Sequence, residues 1–119
     1  MSERPHRALK LWQKAVEFVV QVYRTTARFP PSERFGLAGQ MRRAAVSIAS
    51  NIAEGAARRT KKEYAQFLYT ARGSTSELDT QLEIALRLGY LKTESFQALT
   101  GMLDEIGRML AGLIAYASR

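Results

Sequence analysis

The stretch "EGAARRTKKEY", residues 54–64, decides how the chain is folded, because it interrupts two apolar periods of helical spacing. Thr60 followed by Glu63 fits a capping box, in which the Thr side chain accepts the amide hydrogen three residues on and the Glu reaches back. One helix is therefore expected to give out near Gly55 to Arg59 and another to start at Lys61.

Upstream, Leu37, Met41, Ala45, Ile48, Ile52 and Ala56 recur every three or four residues and define a helix over about 33–57. It is preceded by "FPPSERFG", where Pro30 and Pro31 lack amide hydrogens and constrain the residue before them, so an earlier helix must end there. Ser32 is the expected cap of the new one. The earlier helix, about 8–29, carries Leu9, Trp12, Val16, Val19, Tyr23 and Thr26 at steps of 3 and 4.

Downstream, Tyr64, Leu68, Ala71, Thr75, Leu78, Leu82 and Ala85 form the stripe of a third helix, about 61–89, stopped by Gly89 as a C′ residue. Its centre, "GSTSE", is weak helix-forming sequence, which puts a kink at Gly73 among the expectations. After "YLKT", with Thr93 as candidate cap, Phe96, Leu99, Leu103, Ile106, Leu110, Leu113 and Ala117 mark a fourth helix, about 94–117. No segment alternates with period two. At ~1.5 Å per residue the four segments come to roughly 33, 37, 43 and 36 Å. Similar lengths joined by short turns predict an all-α fold: an up-down-up-down antiparallel four-helix bundle, one domain spanning residues 1–119.

Composition agrees. With 46% hydrophobic and 24% charged residues, the 119-residue chain reads as one ordinary globular domain. It has no cysteine, which removes disulfides, thiolate metal sites and a Cys nucleophile and suits a reducing cytoplasm. Charges interrupt the N-terminal stretch, so no signal peptide is expected, and the uncharged run Met109 to Ser118 is too short to span a bilayer. The expectation is a cytoplasmic protein without a membrane partner.

Two faces are wider than a lone bundle needs. Beside its core stripe the second helix carries Val46, Ala49 and Ala53, and the fourth carries Ala98, Met102, Met109 and Tyr116. Apolar arcs left over after the core is built predict a homo-oligomer, a closed ring or dimer, through Val46, Ala49, Ala53, Met102, Met109 and Tyr116. The competing reading is that the alanines are only good helix formers on a half-exposed face. On the opposite flank of the second helix, Ser47, Asn51 and Glu54 line up with Gln40 and Arg58. Such a row is expected to be a hydrogen-bonded network between helices that fixes register, with an internal ligand site as the alternative.

Catalytic machinery is not visible. The single histidine, His6, lies ahead of the first helix, which excludes a carboxylate-bridged di-iron bundle and leaves the serines without a base. There is no phosphate-binding Gly-rich loop and no nucleophile elbow. Asp79 and Glu83 lie one turn apart with Arg72 on their face, an arrangement expected to pair them. No enzyme, metal or cofactor is expected.

Charge is where a partner shows. Up to Arg72 there are 14 Lys and Arg against 5 Asp and Glu, net +9, whereas from Gly73 onward 4 stand against 6, net −2. Within the opening stretch, Arg58 and Arg59 end a helix, where cations complement the dipole. Lys61 and Lys62 open the next one, at the wrong pole. An anion held between them resolves the conflict, and phosphate fits. The expected site is a nucleic-acid backbone contact through Arg58, Arg59, Lys61 and Lys62, extended by Arg42, Arg43, Lys10 and Lys14; the competing reading is a solvated turn.

Four pieces of the chain, "LxxWQKA" at 9–15, "FPxxERFGL" at 29–37, "QMRRAAVSIASNIAEG" at 40–55 and "KKEYAQFLYTARGSTSELDTQL" at 61–82, together are distinctive. Over about Leu9 to Leu91 the chain resembles the four-helix bundle proteins encoded in 23S rRNA gene intervening sequences, also called S23 ribosomal proteins. Ala49 stands where that family often has a proline, which should straighten the second helix. The resemblance implies a four-helix bundle. It also implies a homopentamer with a basic surface, like the distantly related accessory variability proteins of diversity-generating retroelements, which associate with nucleic acid and a reverse transcriptase. No enzymatic role comes with it. Two functions therefore stand: a nucleic-acid-binding oligomer, RNA by preference, and a scaffold whose spare apolar arcs dock a partner protein.

Overall fold

Thr60 does what its position promises: its hydroxyl oxygen accepts the Glu63 amide hydrogen at 3.1 Å. The Glu63 carboxylate returns to the Thr60 hydroxyl at 3.1 Å rather than to its backbone, so the box closes through side chains. From that cap α3 (Lys61–Arg87) runs unbroken through Gly73. Before it come α1 (Lys10–Thr26) and α2 (Leu37–Ala56), each led in by a single 3-10 turn at Pro5–Ala8 and Pro31–Glu33; after it comes α4 (Thr93–Ala117). The computed structural model describes residues 4–119, and no strand occurs among them.

Each helix packs against its neighbours in sequence, and α1 closes the ring against α4. The backbones of neither diagonal pair, α1 with α3 or α2 with α4, come within 8 Å of each other. This is the up-down-up-down bundle, with the core on its axis: Phe18, Met41, Ile48, Ile52, Leu68, Leu78, Leu82, Ile106 and Leu110 are fully enclosed. Each such side chain contributes about 1.5–3 kcal/mol by leaving water.

Three helix ends carry specific chemistry. At the end of α3, Gly89 takes φ +79°, the left-handed region that glycine enters without steric cost. Its amide donates to Leu86 O at 3.0 Å and the Tyr90 amide donates to Ala85 O at 2.9 Å, the paired bonds of a Schellman stop. At the start of α2 the expected cap, Ser32, lies inside the 3-10 turn instead. Glu33 replaces it, its carboxylate accepting the Leu37 amide hydrogen at 3.1 Å. Thr93 is already the first residue of α4, behind Lys92 as N-cap, and no side chain caps that end.

The core face of α1 differs from the expected stripe. Leu11, Ala15, Phe18, Val22 and Thr26 are buried, whereas Leu9, Trp12, Val16 and Val19 pack only partly against the core and Tyr23 is exposed. The helix has two adjacent apolar rows, both at helical spacing, and the row carrying Phe18 points inward. The other three stripes lie on or beside the buried rows of their helices. α2 gives out at Ala56, within the expected stretch, and Gly55 just before it is buried, where a Cβ would stand 2.8 Å from Tyr64 Cδ1 and 3.0 Å from Phe67 Cβ. Its missing side chain lets the start of α3 close onto α2.

Candidate nucleic-acid interface

Seven of the eight cations singled out in the sequence fall into two groups, and Lys14 stands apart on the α1/α4 side. The 16 residues that separate Arg42 from Arg58 span roughly 24 Å of helix. Arg42 sits against the C-terminal turn of α1: its Nε donates to Thr26 Oγ1 at 2.9 Å, its Nη2 to Tyr23 O at 3.3 Å, and its guanidinium lies over the Tyr23 ring. That places Arg42 and Arg43 at the end where α1 stops and α2 starts. Arg58, Arg59, Lys61 and Lys62 lie at the other end, where α2 stops, α3 starts and α4 stops. Lys10, the first residue of α1, belongs to that same end, since the turn before α1 packs on α2.

Local contacts already hold several of these side chains. Arg58 lies 3.6 Å from Glu54 and stacks over Phe67, and Lys61 stands over Tyr116. Lys14 pairs with Glu105 at 2.9 Å on the α1/α4 side. Lys10, Arg59 and Lys62 are exposed, and no ion pair among the described residues involves them. Among the described residues, the single carboxylate paired with any cation of this end group is Glu54. The result is a positive, solvent-facing end in which Arg58 and Lys61 lie against aromatic rings and Lys10, Arg59 and Lys62 face solvent.

The polar row of α2 divides. Asn51 donates its amide to Ser47 O at 2.8 Å and to Ser47 Oγ at 3.1 Å, and Ser74 on α3, itself buried, donates to Ser47 Oγ at 2.9 Å. Ser47 and Asn51 thus belong to a bond between helices, with Ser74 the member the sequence did not reveal. Glu54 stands apart from it, exposed and facing Arg58. Arg72 does not pair with Asp79 and Glu83: it stacks over Tyr69, and Glu83 takes Arg87 at 2.9 Å.

The apolar residues assigned to an interface are spread over two faces. Val46 is 40% exposed and Ala53 half-buried on α2; Met102 and Met109 are half-buried and Tyr116 is 46% exposed on α4. Ala49 is 8% exposed and sits in the core of the bundle itself, because the α2 core face is broad enough to include both Ile48 and Ala49. No helix is long and apolar enough to cross a membrane, and among the described residues no cluster of His, Cys, Asp or Glu could hold a metal.

Fold and surface together define a small all-α bundle with a cationic end and leftover apolar faces. The chain belongs to the 23S rRNA-intervening sequence protein family, whose model matches residues 7–112 and so takes in most of α4 as well as the three earlier helices. Among solved structures it is similar to a protein of unknown function from the S23 ribosomal protein family of Bacteroides thetaiotaomicron. That likeness has a TM-score of 0.79 at 23% identity, covering 87% of this chain and 97% of that one, and is a likeness of fold. No curated protein matches the chain.

Proposed function

We propose that the protein is a non-enzymatic, cytoplasmic homo-oligomer that binds nucleic acid, RNA by preference, through phosphate contacts from the cationic end of its bundle. The observation that supports this reading most is the grouping of Lys10, Arg58, Arg59, Lys61 and Lys62 at one end, with Glu54 the single acid paired with them among the described residues. Cations so arranged bind a polyanion by releasing its condensed counterions and carry no sequence preference of their own. No aromatic recognition motif accompanies them, so contacts to base edges are not part of the reading.

Oligomerisation rests on the two apolar faces. Val46 and Ala53 stand on α2, and Met102, Met109 and Tyr116 on α4, the helix diagonal to it. Two unlike patches on non-adjacent helices favour a head-to-tail contact, which closes into a ring when the rotation allows. A pentamer is the ring that family resemblance suggests. On α4 the outward Gly101, Gly107 and Gly112 have open space where a Cβ would be, leaving the backbone accessible to a neighbouring helix.

A protein-interaction scaffold is the second reading, favoured by Phe35, 86% exposed in the α1–α2 connection. Mixed RNA and DNA oligonucleotides titrated at several salt concentrations separate the two. The nucleic-acid reading expects affinity that falls steeply with salt and is reduced in a variant with Arg58, Arg59, Lys61 and Lys62 changed to Gln; affinity indifferent to that change contradicts it. Light scattering at micromolar concentration tests the ring, and a mass of one chain contradicts it.

A further inference from the structure

Arg24, Arg28 and Lys92 line one cavity of about 460 Å³ at the end of the bundle remote from Lys61, together with Gln21, Thr25 and Ser95. The two arginines come from the last turn of α1 and the residues just past it, and Lys92 is the N-cap of α4. Arginines near a helix C-terminus complement its dipole, but a lysine beside a helix N-terminus does not. Among the described residues no ion pair involves any of the three.

Two of the nearby carboxylates have other partners. Glu33 accepts the Tyr90 hydroxyl at 3.0 Å and the Leu37 amide at 3.1 Å, and Glu17 accepts the Gln21 amide at 3.0 Å. Glu94 follows Lys92 in the first turn of α4 but does not line the cavity. Three cations, with Gln21, Thr25, Tyr90 and Ser95, thus line a hollow whose size falls in the lower range of small-ligand pockets, about 300–1,000 Å³.

We propose that this cavity binds the phosphoryl group of a phosphomonoester, from a free nucleotide or from the 5′ end of a strand. Guanidinium forks match phosphate oxygens in pairs. A monoester carries about −1.5 to −2 charge near neutral pH, against a single charge on a diester or carboxylate, so three cations select the monoester. The site is separate from the cationic end invoked above, and either can fail without the other.

Amide-resolved NMR of the full-length chain tests it, with AMP and with one short RNA oligonucleotide carrying either a 5′-phosphate or a 5′-hydroxyl. The expected result is saturable shifts at residues 24–28 and 89–95 with the phosphorylated ligands, roughly tenfold or more weaker binding at those residues for the 5′-hydroxyl strand, and a comparable loss in R24Q/R28Q. The R58Q/R59Q/K61Q/K62Q variant should leave these shifts unchanged. Tighter binding of AMP identifies a free nucleotide as the source, and tighter binding of the phosphorylated strand identifies a strand end. Absence of saturation with both phosphorylated ligands, equal affinity of the 5′-hydroxyl strand at these residues, or retention of binding in R24Q/R28Q overturns the proposal. The wild-type shift map locates the site even if the variant is perturbed.

Discussion

The ammonium of Lys61 stands 4.4 Å from the centroid of the Tyr116 ring, tying the first residue of α3 to the last turn of α4. A cation at a helix N-terminus is unfavourable by the dipole alone. Here the ring face of a neighbouring helix supplies an opposing attraction, worth about 0.5–1 kcal/mol at an exposed site. A double-mutant cycle with Lys61→Met and Tyr116→Leu, read by urea unfolding, is expected to return a coupling of that size. Zero coupling would mean the two side chains are merely adjacent.

Gly55 to Ala is expected to destabilise, although alanine is the better helix former by about 1 kcal/mol. The new methyl would stand 2.8 Å from Tyr64 Cδ1 and 3.0 Å from Phe67 Cβ, and moving those groups means shifting α3. Overpacking of this kind costs about 1–3 kcal/mol, so the net loss should be up to about 2 kcal/mol. Equilibrium urea unfolding measures it; a gain in stability would show that α3 yields easily.

Tyr90 donates its hydroxyl to Glu33 Oε2 at 3.0 Å, a bond between the α3–α4 turn and the α1–α2 connection. That hydrogen bond, with smaller contributions from burial and from the Glu33 charge, holds the phenol above its ordinary pKa of 10.0. With the folded value above the unfolded one, the contact stabilises fully below the unfolded pKa and its contribution disappears as pH rises through the folded value. Tyr90→Phe should therefore lower the melting temperature at neutral pH, and its gap to the wild type should narrow above about pH 10. A gap that stays constant with pH would show that the hydroxyl is not the group responsible.

What the sequence revealed follows from how local each feature is. The Thr60 cap and the Gly89 stop need only residues within a turn of themselves, and both were legible. Three of the four core faces were legible too, because α2, α3 and α4 have buried rows that periodicity can find. In α1 it could not choose between the row of Val16 and the row of Phe18, since both repeat at helical spacing and only the placement of α2 and α4 decides which turns inward. The same limit hid Ser74 as the partner of Ser47, Glu33 as the cap of α2, and the aromatic rings beneath Arg58 and Lys61. It also let Arg42 and Arg43 be grouped with cations that the bundle places at its far end.

The central claim is that cations of the α2–α3 end contact nucleic-acid phosphates, and the salt dependence of single-stranded RNA binding tests it most directly. Each phosphate neutralised adds about −0.7 to the slope of log affinity against log salt. Arg59 and Lys62 are exposed and, among the described residues, in no ion pair, whereas Arg58 is shared with Glu54. The account predicts that R59Q/K62Q flattens the slope by about 1.4 per subunit engaged and that R58Q flattens it by less. A slope identical in the wild type and R59Q/K62Q would contradict the account.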